Sequence, residues 1–466
     1  MLAEFHLIRV PCIQNPILRD TAMTHQDKLQ SAMGLADYYE PSPGGETAFS
    51  VVAPLVKFGP GSLAEIGTDA KTMGMRRVAV FTDATVAKLE PLALVLESLR
   101  KAGIDTGVYA ETEIEPTDRS FLAGTAFAAE GRFDGFISVG GGSVMDTCKA
   151  ANLYTTYPND LLAYVNAPIG RAEPIPGPLK PHIACPTTFG TASECTGIAI
   201  FDLLEMKAKT GIASINLKPN LGILDPNNLK TLPKNVMAAN GFDVFSHAIE
   251  SITARPFTRR PAPSGSSKRP LSQGANPYSD VGCLEAIRRV GTNLVDAVNR
   301  PQNHHYESLM FASLLAGIGF GNAGCHVPHG MSYAVAGLVK DYQPAGWPID
   351  HPMVPHGISV IVNSPAVFRF CASACPERHM AAADAMGADI RGASLADAGR
   401  LLADRVIEMM RQTDMPNGLS GVGYTAADLK ALTDGAFPQK RVIDNAPREI
   451  SWEDLHGMFE DALSYW

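Results

Sequence analysis

The feature that most constrains the fold is an apolar run that ends directly in three glycines. Phe133–Val139 (FDGFISV) has the length and composition of a buried strand, and Gly140, Gly141 and Gly142 follow it. Ser143 then opens a helix, with Asp146 at the spacing of a capping box. Glycine turns let backbone N–H groups approach a phosphate, and a helix N-terminus adds positive partial charge. The turn therefore predicts pyrophosphate binding; a plain tight turn is the alternative, and no GxGxxG fingerprint is present.

Strands and helices alternate around this turn. Strands are predicted at 47–58 (an edge strand), 77–82 and 106–109, and helices at 84–101, ending before Gly103, and 120–131. This rhythm predicts a parallel, Rossmann-like sheet covered on both faces. Beyond residue 226 helical patterns dominate, at 231–254 (Thr231 as N-cap, Pro233 near the first turn), 278–300, 306–320, 378–387, 395–412 and 426–435.

The predicted fold class is thus an α/β N-terminal domain followed by an all-α C-terminal domain. We assign residues 47–228 to nucleotide binding and 229–466 to a helical, metal-binding domain. A Pro-, Gly- and Ser-rich insertion at 255–277 interrupts the helical domain. Residues 1–22 do not have the order of a signal peptide, and we interpret them as a tail or a mitochondrial leader.

Charge and composition exclude several classes of protein. Lys and Arg total 39 against 48 Asp and Glu, a net charge of -9 without a basic stripe, so nucleic acid is not an expected partner. No uncharged apolar run reaches the roughly 20 residues that cross a bilayer, so no membrane partner is expected. The eight scattered cysteines are typical of reduced thiols. We expect a cytoplasmic protein, with the mitochondrial matrix as the alternative.

Two further features favour a dinucleotide. Asp83 follows the strand at 77–82, where a carboxylate can accept from a ribose hydroxyl and repel a 2′-phosphate, which favours NAD over NADP. A helix N-cap is the competing role for Asp83 and is compatible with the first. The loop Pro186–Glu194 (PTTFGTASE) is rich in hydroxyls and small side chains that suit a cofactor groove, although such runs are more often plain loops.

A metal site is predicted from carboxylate and imidazole groups. Asp243 and His247 lie four residues apart on a predicted helix and project from one face. The segment 320–356 holds four of the twelve histidines of the chain: His326, His329, His351 and His356. One carboxylate with imidazoles suits Fe(II) or Zn(II). Spacing alone leaves open which histidines bind.

Together, GGGSVMD, PTTFGTASE, GFDVFSHAIE, HGMSY and VPHG, in this order, resemble the iron-containing (group III) alcohol dehydrogenase family over about residues 50–460. The longer stretches VGGGSVMDTCKAANLY, GNAGCHVPHGMSYAVAGLVK and DHPMVPHGISVIVNSPAVF resemble its hydroxyacid-oxoacid transhydrogenase branch. The resemblance implies a cleft between two domains that holds NAD(P) and metal.

By position, the resemblance implies two sets of ligand-binding residues. The metal ligands are Asp243, His247, His329 and His356. The cofactor-binding residues are Asp83, Gly140, Gly141, Gly142, Ser143, Asp146, Thr187, Thr188 and Lys209. Three positions depart from the common pattern of alcohol dehydrogenases: Tyr333 replaces a histidine, Ala192 replaces a glycine, and the chain between His329 and His356 is longer. Tyr333 and the longer gap resemble the transhydrogenase branch.

The implied reaction is metal-assisted hydride transfer from 4-hydroxybutyrate to 2-oxoglutarate through tightly held NAD. The products are succinate semialdehyde and 2-hydroxyglutarate. Fe(II) is favoured with Zn(II) as the alternative, small hydroxy- and oxoacids are the partners, and a homo-oligomer, dimer or larger, is expected. His329 and His326 are the histidines expected at the reacting atoms, although packing beside the site is an equal alternative for His326.

Both acids carry a remote carboxylate, which on an acidic protein requires a placed cation, preferably arginine. The insertion offers Arg255, Arg260 and Arg269, with Arg259 and Lys268 beside them, and a solvated basic loop is the alternative. Rival functions are an ordinary NAD-dependent alcohol dehydrogenase, a maleylacetate reductase and, from another class, a dehydroquinate-synthase-like lyase. The Asp243–His247 pair counts against the lyase.

Overall fold

A computed structural model describes residues 38–206 and 208–466 of the protein, so the predicted tail or leader at 1–22 lies outside the described residues. Six parallel strands form the N-terminal sheet in the order β1-β8-β5-β4-β2-β3. They are β1 Val56–Phe58, β2 Arg77–Phe81, β3 Asp105–Tyr109, β4 Gly135–Gly140, β5 His182–Pro186 and β8 Leu221–Leu224. The predicted α/β fold class is confirmed.

Helices cover both faces of this sheet, so its central strands are buried along their whole length. They are α1 Ile66–Thr72, α2 Glu90–Ala102, α3 Asp118–Gly131, α4 Gly142–Thr156 and the short α5 Leu161–Tyr164. Gly103 ends α2 in the left-handed conformation, as predicted. Along the chain, β5 and β8 are separated by an antiparallel hairpin of β6 Ile198–Leu203 and β7 Ala208–Ala213, which forms a sheet of its own.

The C-terminal half is helical and contains one large apolar core. Its longer helices are α6 Lys234–Thr253, α7 Pro277–Asn299, α8 Asn303–Ala323 and α9 Val327–Gly337. The remaining helices are α10 His356–Ile361, α11 Ser364–Cys371, α12 Pro376–Ala385, α13 Ala398–Gln412, α14 Leu429–Ala436, α15 Lys440–Ile443 and α16 Trp452–Asp461. The seven cysteines among the described residues form no disulfide.

Two local predictions are wrong. The edge strand predicted at 47–58 is paired only at β1, because Ser50 and Val52 instead donate their N–H groups to the side chains of Gln273 and Asn322. Thr231 is not the N-cap of α6. Pro233 takes that position with extended backbone (ψ 145°), so the helix begins one residue later at Lys234.

The first described segment fastens onto the insertion at 255–277. Gly45 pairs with Pro261 of the insertion as a single β-bridge, and Tyr39 donates a hydrogen bond to Asp280 of α7, just beyond the insertion. Glu46 forms an ion pair with Arg269. The insertion contains two short 3₁₀ turns, and contacts with the N-terminal segment hold it in place.

Among residues 38–206 and 208–466, one stretch, His356–Ala374, has the length and composition of a membrane-crossing helix, and 78% of it is buried inside the protein, as in a core helix. The helices Asn303–Ala323 and Val327–Gly337 meet the same criteria only if the pair, bent by 100°, counts as one span.

Candidate active site

A cavity of about 600 Å³ lies between the sheet and the helical core. The glycine turn after β4 lines it, as do α6, the starts of α9 and α10, part of the insertion and the turn at 441–445. Parallel sheets bind ligands at the carboxyl ends of their strands, and β4 delivers the glycine turn to that edge. The cavity thus brings the predicted nucleotide and metal residues to one place.

The glycine turn is built for close approach. Gly140 ends β4, Gly141 is the N-cap of α4, and α4 begins at Gly142. A Cβ on Gly142 would lie 2.8 Å from Thr191 Oγ1, and one on Gly141 would lie 3.2 Å from Thr188 Oγ1. A side chain at Gly142 would force Thr191 in the loop after β5 to shift, and one at Gly141 would crowd Thr188. Thr187, Thr188 and Ser143 line the cavity beside the turn.

The capping-box interpretation of Ser143 and Asp146 is wrong, because Gly141 rather than Ser143 caps α4. Ser143 Oγ instead accepts the N–H of Glu115 at 3.1 Å. Asp146 accepts from Ser193 Oγ at 2.5 Å and from the N–H of Ile200 at 2.9 Å. Both carboxylate oxygens of Asp146 thus have partners within the protein, and burial raises its pKa. Asp146 lines the cavity but supports the loop beside the turn.

Two other predicted cofactor residues also have internal partners. Asp83 accepts from the N–H groups of Thr85 and Val86 at 2.8 and 2.9 Å and lines the cavity. It caps a turn rather than the helix predicted at 84–101, which begins only at Glu90 with Leu89 as its N-cap. Lys209 donates to Glu115 at 2.8 Å and to Asp202 at 3.1 Å. Burial alone would lower the pKa of Lys209, but the two carboxylates raise it above its ordinary value.

Four side chains converge where the cavity meets the helical core. Asp243 and His247 come from α6, His329 from α9 and His356 from α10, and their ligand atoms lie within 4.8 Å of one another. Asp243 Oδ1 is 3.5 Å from His356 Nε2 and 3.7 Å from His329 Nε2. Asp243 Oδ1 and His329 Nε2 are buried without any hydrogen-bond partner in the described residues. Buried polar atoms are rarely left unpartnered, so the cluster fits a divalent ion.

Outer contacts orient these ligands. His329 Nδ1 lies 2.6 Å from Glu250 Oε1, and His247 Nδ1 lies 3.1 Å from the carbonyl oxygen of Gly190. Each contact occupies Nδ1 as the donor and leaves Nε2 for a metal. Burial lowers the pKa of His247 to about 4 and also lowers that of His356, so both imidazoles are neutral near pH 7.

Glu250 is a residue that the sequence analysis missed. It follows Asp243 and His247 at the next helical step of α6, and this spacing of seven residues was the available signal. Burial alone would raise the pKa of Glu250, but neighbouring His329 lowers it below its ordinary value. An ionised Glu250 is therefore a strong acceptor for His329.

His326 does not take the predicted place at the reacting atoms. It does not line the cavity, its Nε2 lies 2.9 Å from Thr253 Oγ1, and burial lowers its pKa to about 4. Its N–H donates to Glu250 at 2.7 Å. His326 lies three residues before His329, at the N-cap position of α9, and its side chain does not face the cluster.

Of the three arginines predicted to bind substrate, only Arg260 lines the cavity. Arg269 is wrong as a candidate, because a two-pronged contact with Glu46 at 3.0 and 3.2 Å neutralises it away from the cavity. Arg255 is also wrong, since it lies off the cavity wall and contributes its N–H to the carbonyl of Asn445. Arg441, Asn445 and Trp347 line the cavity, and no sequence motif indicated them.

Ala192, the departure from the family's glycine, has left-handed backbone (φ 47°, ψ 36°). An L-residue in this conformation costs about 1 kcal/mol relative to glycine. Its methyl group lies against Gly317 of α8, where an added Cβ would lie only 2.3 Å from Ala192 Cβ. Gly317 therefore provides the room that Ala192 needs.

The iron-containing alcohol dehydrogenase profile matches residues 53–226, and the C-terminal profile of the Fe-containing alcohol dehydrogenase family matches residues 271–463. The chain belongs to the iron-containing alcohol dehydrogenase family. It is 47% identical over 446 residues to the "Hydroxyacid-oxoacid transhydrogenase, mitochondrial" of Bos taurus, covering 94% of both chains. The protein of the same name from Xenopus laevis is 48% identical over 419 residues, 89% of this chain and 90% of that one. The predicted membership of the transhydrogenase branch is confirmed.

Solved structures of the family share the fold. A 1,3-propanediol oxidoreductase superposes with a TM-score of 0.78 at 28% identity, covering 89% of this chain and 100% of that chain. An alcohol dehydrogenase from Oenococcus oeni also gives 0.78, at 27% identity and the same coverage. As a member of this family, the protein is an oxidoreductase that acts on CH–OH groups.

Proposed function

We propose that the protein is a hydroxyacid-oxoacid transhydrogenase that oxidises 4-hydroxybutyrate to succinate semialdehyde and reduces 2-oxoglutarate to 2-hydroxyglutarate through one bound NAD. The observation that carries this proposal is a cavity with three parts. These are a glycine turn suited to pyrophosphate, a cluster of metal-ligating atoms of which two have no partner among the described residues, and an arginine that has no carboxylate partner among them. The names of the relatives point the same way.

The two substrates share one chemical outline. Succinate semialdehyde has its reacting carbon two methylenes from a carboxylate, and 2-oxoglutarate has the same arrangement with a second carboxylate in place of the aldehyde hydrogen. Oxidation of the donor releases one hydride and one proton, and reduction of the acceptor takes up one of each. NAD carries only the hydride, so the cycle consumes no free cofactor.

Asp243, His247, His329 and His356 would hold the metal. A divalent ion there would act as a Lewis acid that polarises the substrate C–O bond. Glu250 and the carbonyl of Gly190 hold two of the imidazoles in the tautomer that presents Nε2. His329 thus acts at the reacting atoms as a ligand. We favour Fe(II) over Zn(II) from the family's description, and metal analysis after anaerobic purification tests the choice.

Tight retention of NAD is supported by the segment 338–355, which joins α9 to α10. Gly346, Trp347 and Pro348 line the cavity next to Pro233, at the start of α6. Asn235 donates to the carbonyl of Ala345 at 3.1 Å and fastens this segment. The start of α6 is about 14 Å from Asp243 at 1.5 Å per residue, so this contact is distant from the metal ligands. We propose that the segment covers the cofactor rather than the acid.

Arg260 is the residue that we propose binds the substrate carboxylate. Changing Arg260 to Met should lower kcat/KM for 4-hydroxybutyrate by about 10–100-fold, because a charge-assisted hydrogen bond contributes about 1.5–3 kcal/mol, and should leave 1-butanol oxidation with added NAD little changed. The matched control is Arg269→Met, which removes a cation that Glu46 already neutralises. An unchanged preference for acids in Arg260→Met would contradict this assignment.

The function itself is tested by mixing 4-hydroxybutyrate and 2-oxoglutarate with freshly purified protein and no added NAD, and following 2-hydroxyglutarate by mass spectrometry. Many turnovers, little stimulated by free NAD, are expected. Failure without NAD, combined with NADH formation from an alcohol and added NAD, would instead identify an ordinary alcohol dehydrogenase. Maleylacetate as the preferred oxidant of NADH would identify the reductase.

Assembly is proposed from the family resemblance alone, and location from the names of the relatives. We propose a homo-oligomer, dimer or larger, and light scattering of the purified protein tests it. The relatives are named mitochondrial, and none of these names supports the cytoplasmic expectation, so we propose the mitochondrial matrix as the location to test first. Fluorescent fusions with and without residues 1–22 would show whether that segment directs import.

A further inference from the structure

Two arginines line the cavity without a carboxylate partner. Among the described residues, neither Arg260 nor Arg441 lies within 4.0 Å of an acidic side chain, whereas Lys209, also on the cavity wall, has two acidic partners. Burial and the nearby charge of Arg255 both lower the pKa of Arg260, so its surroundings disfavour its own charge. In a protein of net charge -9, two unpaired guanidinium groups on one wall point to an anionic ligand.

Asn445 connects Arg260 to the metal cluster. Its Oδ1 accepts from Arg260 Nη1 at 3.0 Å, and its Nδ2 donates to the carbonyl of Cys325 at 3.0 Å. Cys325 lies beside His329 and also lines the cavity. Arg260 is thus held at a fixed place relative to the ligands.

Arg441 reaches the same wall from the short helix α15, four residues before Asn445. Its side chain is exposed, while Asp243, His247 and His329 are buried, so Arg441 lies at the open end of the cavity. Its neighbour Lys440 does not line the cavity and lies 3.9 Å from Asp444.

We propose that Arg441 joins Arg260 in binding the terminal carboxylate, two methylenes from the reacting carbon, that 4-hydroxybutyrate and 2-oxoglutarate share. This assignment rests on the function proposed above. Arg441 is exposed whereas the metal ligands are buried, which suits the far end of the substrate rather than the carboxylate next to the keto group. Two planar guanidinium groups can together donate to both oxygens of one carboxylate. The turn at 441–445 therefore selects acids by the distance between carboxylate and reacting carbon.

The test compares Arg441→Met with the control Lys440→Met. The control also removes one positive charge from α15, but at a residue that does not line the cavity. In Arg441→Met, KM should rise about 10–100-fold for both acids in similar proportion, with kcat little changed, and Arg441→Lys should recover part of the loss. The variant should also lose the preference for 4-hydroxybutyrate over 3-hydroxypropionate and 5-hydroxyvalerate. Lys440→Met should behave as wild type.

A loss confined to 2-oxoglutarate would overturn the assignment, because Arg441 would then bind the carboxylate that only the acceptor has. Unchanged KM values for both acids would also overturn it. Calorimetric binding of glutarate to NAD-loaded protein gives a readout without turnover and should weaken in Arg441→Met but not in Lys440→Met. If wild type binds glutarate but transfers no hydride between the two acids, the proposed function fails while the carboxylate site stands.

Discussion

The nucleotide side and the metal side of the cavity differ in whether their polar side chains have partners within the protein. On the nucleotide side, Asp146 has Ser193 as a partner, and Lys209 has Glu115 and Asp202. On the metal side, Asp243 Oδ1 and His329 Nε2 have no partner among the described residues. The nucleotide side thus offers backbone N–H groups and a groove of defined shape. The metal side offers carboxylate and imidazole atoms that need a ligand as their partner. The unpartnered atoms of this cluster thus fit a divalent ion.

The largest effect should come from Asp243→Asn, which removes the charge around which three imidazoles gather. We expect metal affinity to fall by more than the roughly 100-fold that loss of an outer partner costs, and turnover to fall with it. The imidazoles hold the pKa of Asp243 below its ordinary value despite burial, so the carboxylate stabilises the metal-free fold at neutral pH, and the metal-free variant should melt slightly lower than metal-free wild type. Metal titration and thermal melts check both outcomes; a large drop in the melting temperature would mean that Asp243 is structural.

Glu250→Gln should have a smaller effect on the same side. The amide oxygen can still accept from His329 Nδ1, but without charge, so metal affinity should fall about 10–100-fold. The same metal titration measures it, with Glu285→Gln as the control, since Glu285 pairs with Arg288 on the surface. Unchanged affinity would show that His329 needs no oriented partner.

The smallest effect is expected on the nucleotide side, at Glu194. Burial raises the pKa of Glu194 from 4.5 to about 7. Between these values the native state binds more protons than the unfolded state, so the carboxyl lowers the free energy of unfolding progressively as pH rises from about 4.5 to 7. Glu194→Gln should therefore stabilise the protein relative to wild type by up to about 3 kcal/mol above pH 8, and by little at pH 4.5.

Urea unfolding at several pH values measures this difference, and the exposed Glu130→Gln serves as the control. A difference that stays constant with pH would show that Glu194 titrates normally, and the nucleotide side would then be less closed to solvent than its contacts indicate.

Local patterns predicted the parts of the site that depend on near neighbours. The glycine turn follows its strand directly, and Asp243 with His247 need only one helical turn. His326 and His329 could not be separated by spacing, because both lie on the same short stretch and only tertiary packing selects one. The resemblance to the family chose His329, and the geometry agrees.

Long-range contacts decided what the sequence left open. Arg260 and Arg269 look alike in the insertion, yet Arg269 is neutralised by Glu46, 223 residues away. Helices α9 to α11 were not predicted, because Gly and Pro interrupt the periodicity between His326 and Cys375. Arg441 belongs to a four-residue helix with no motif, so only the folded chain brings it to the cavity.

Asp243, His247 and Glu250 lie on one continuous helix. This helix fixes the relative positions of two metal ligands, Asp243 and His247, and of Glu250, the partner of a third ligand. Arg260 and Arg441 lie on separate segments outside it. Over evolutionary time, substitutions in those two segments can change which acid is recognised while the machinery for removing a hydride passes unaltered to the descendants.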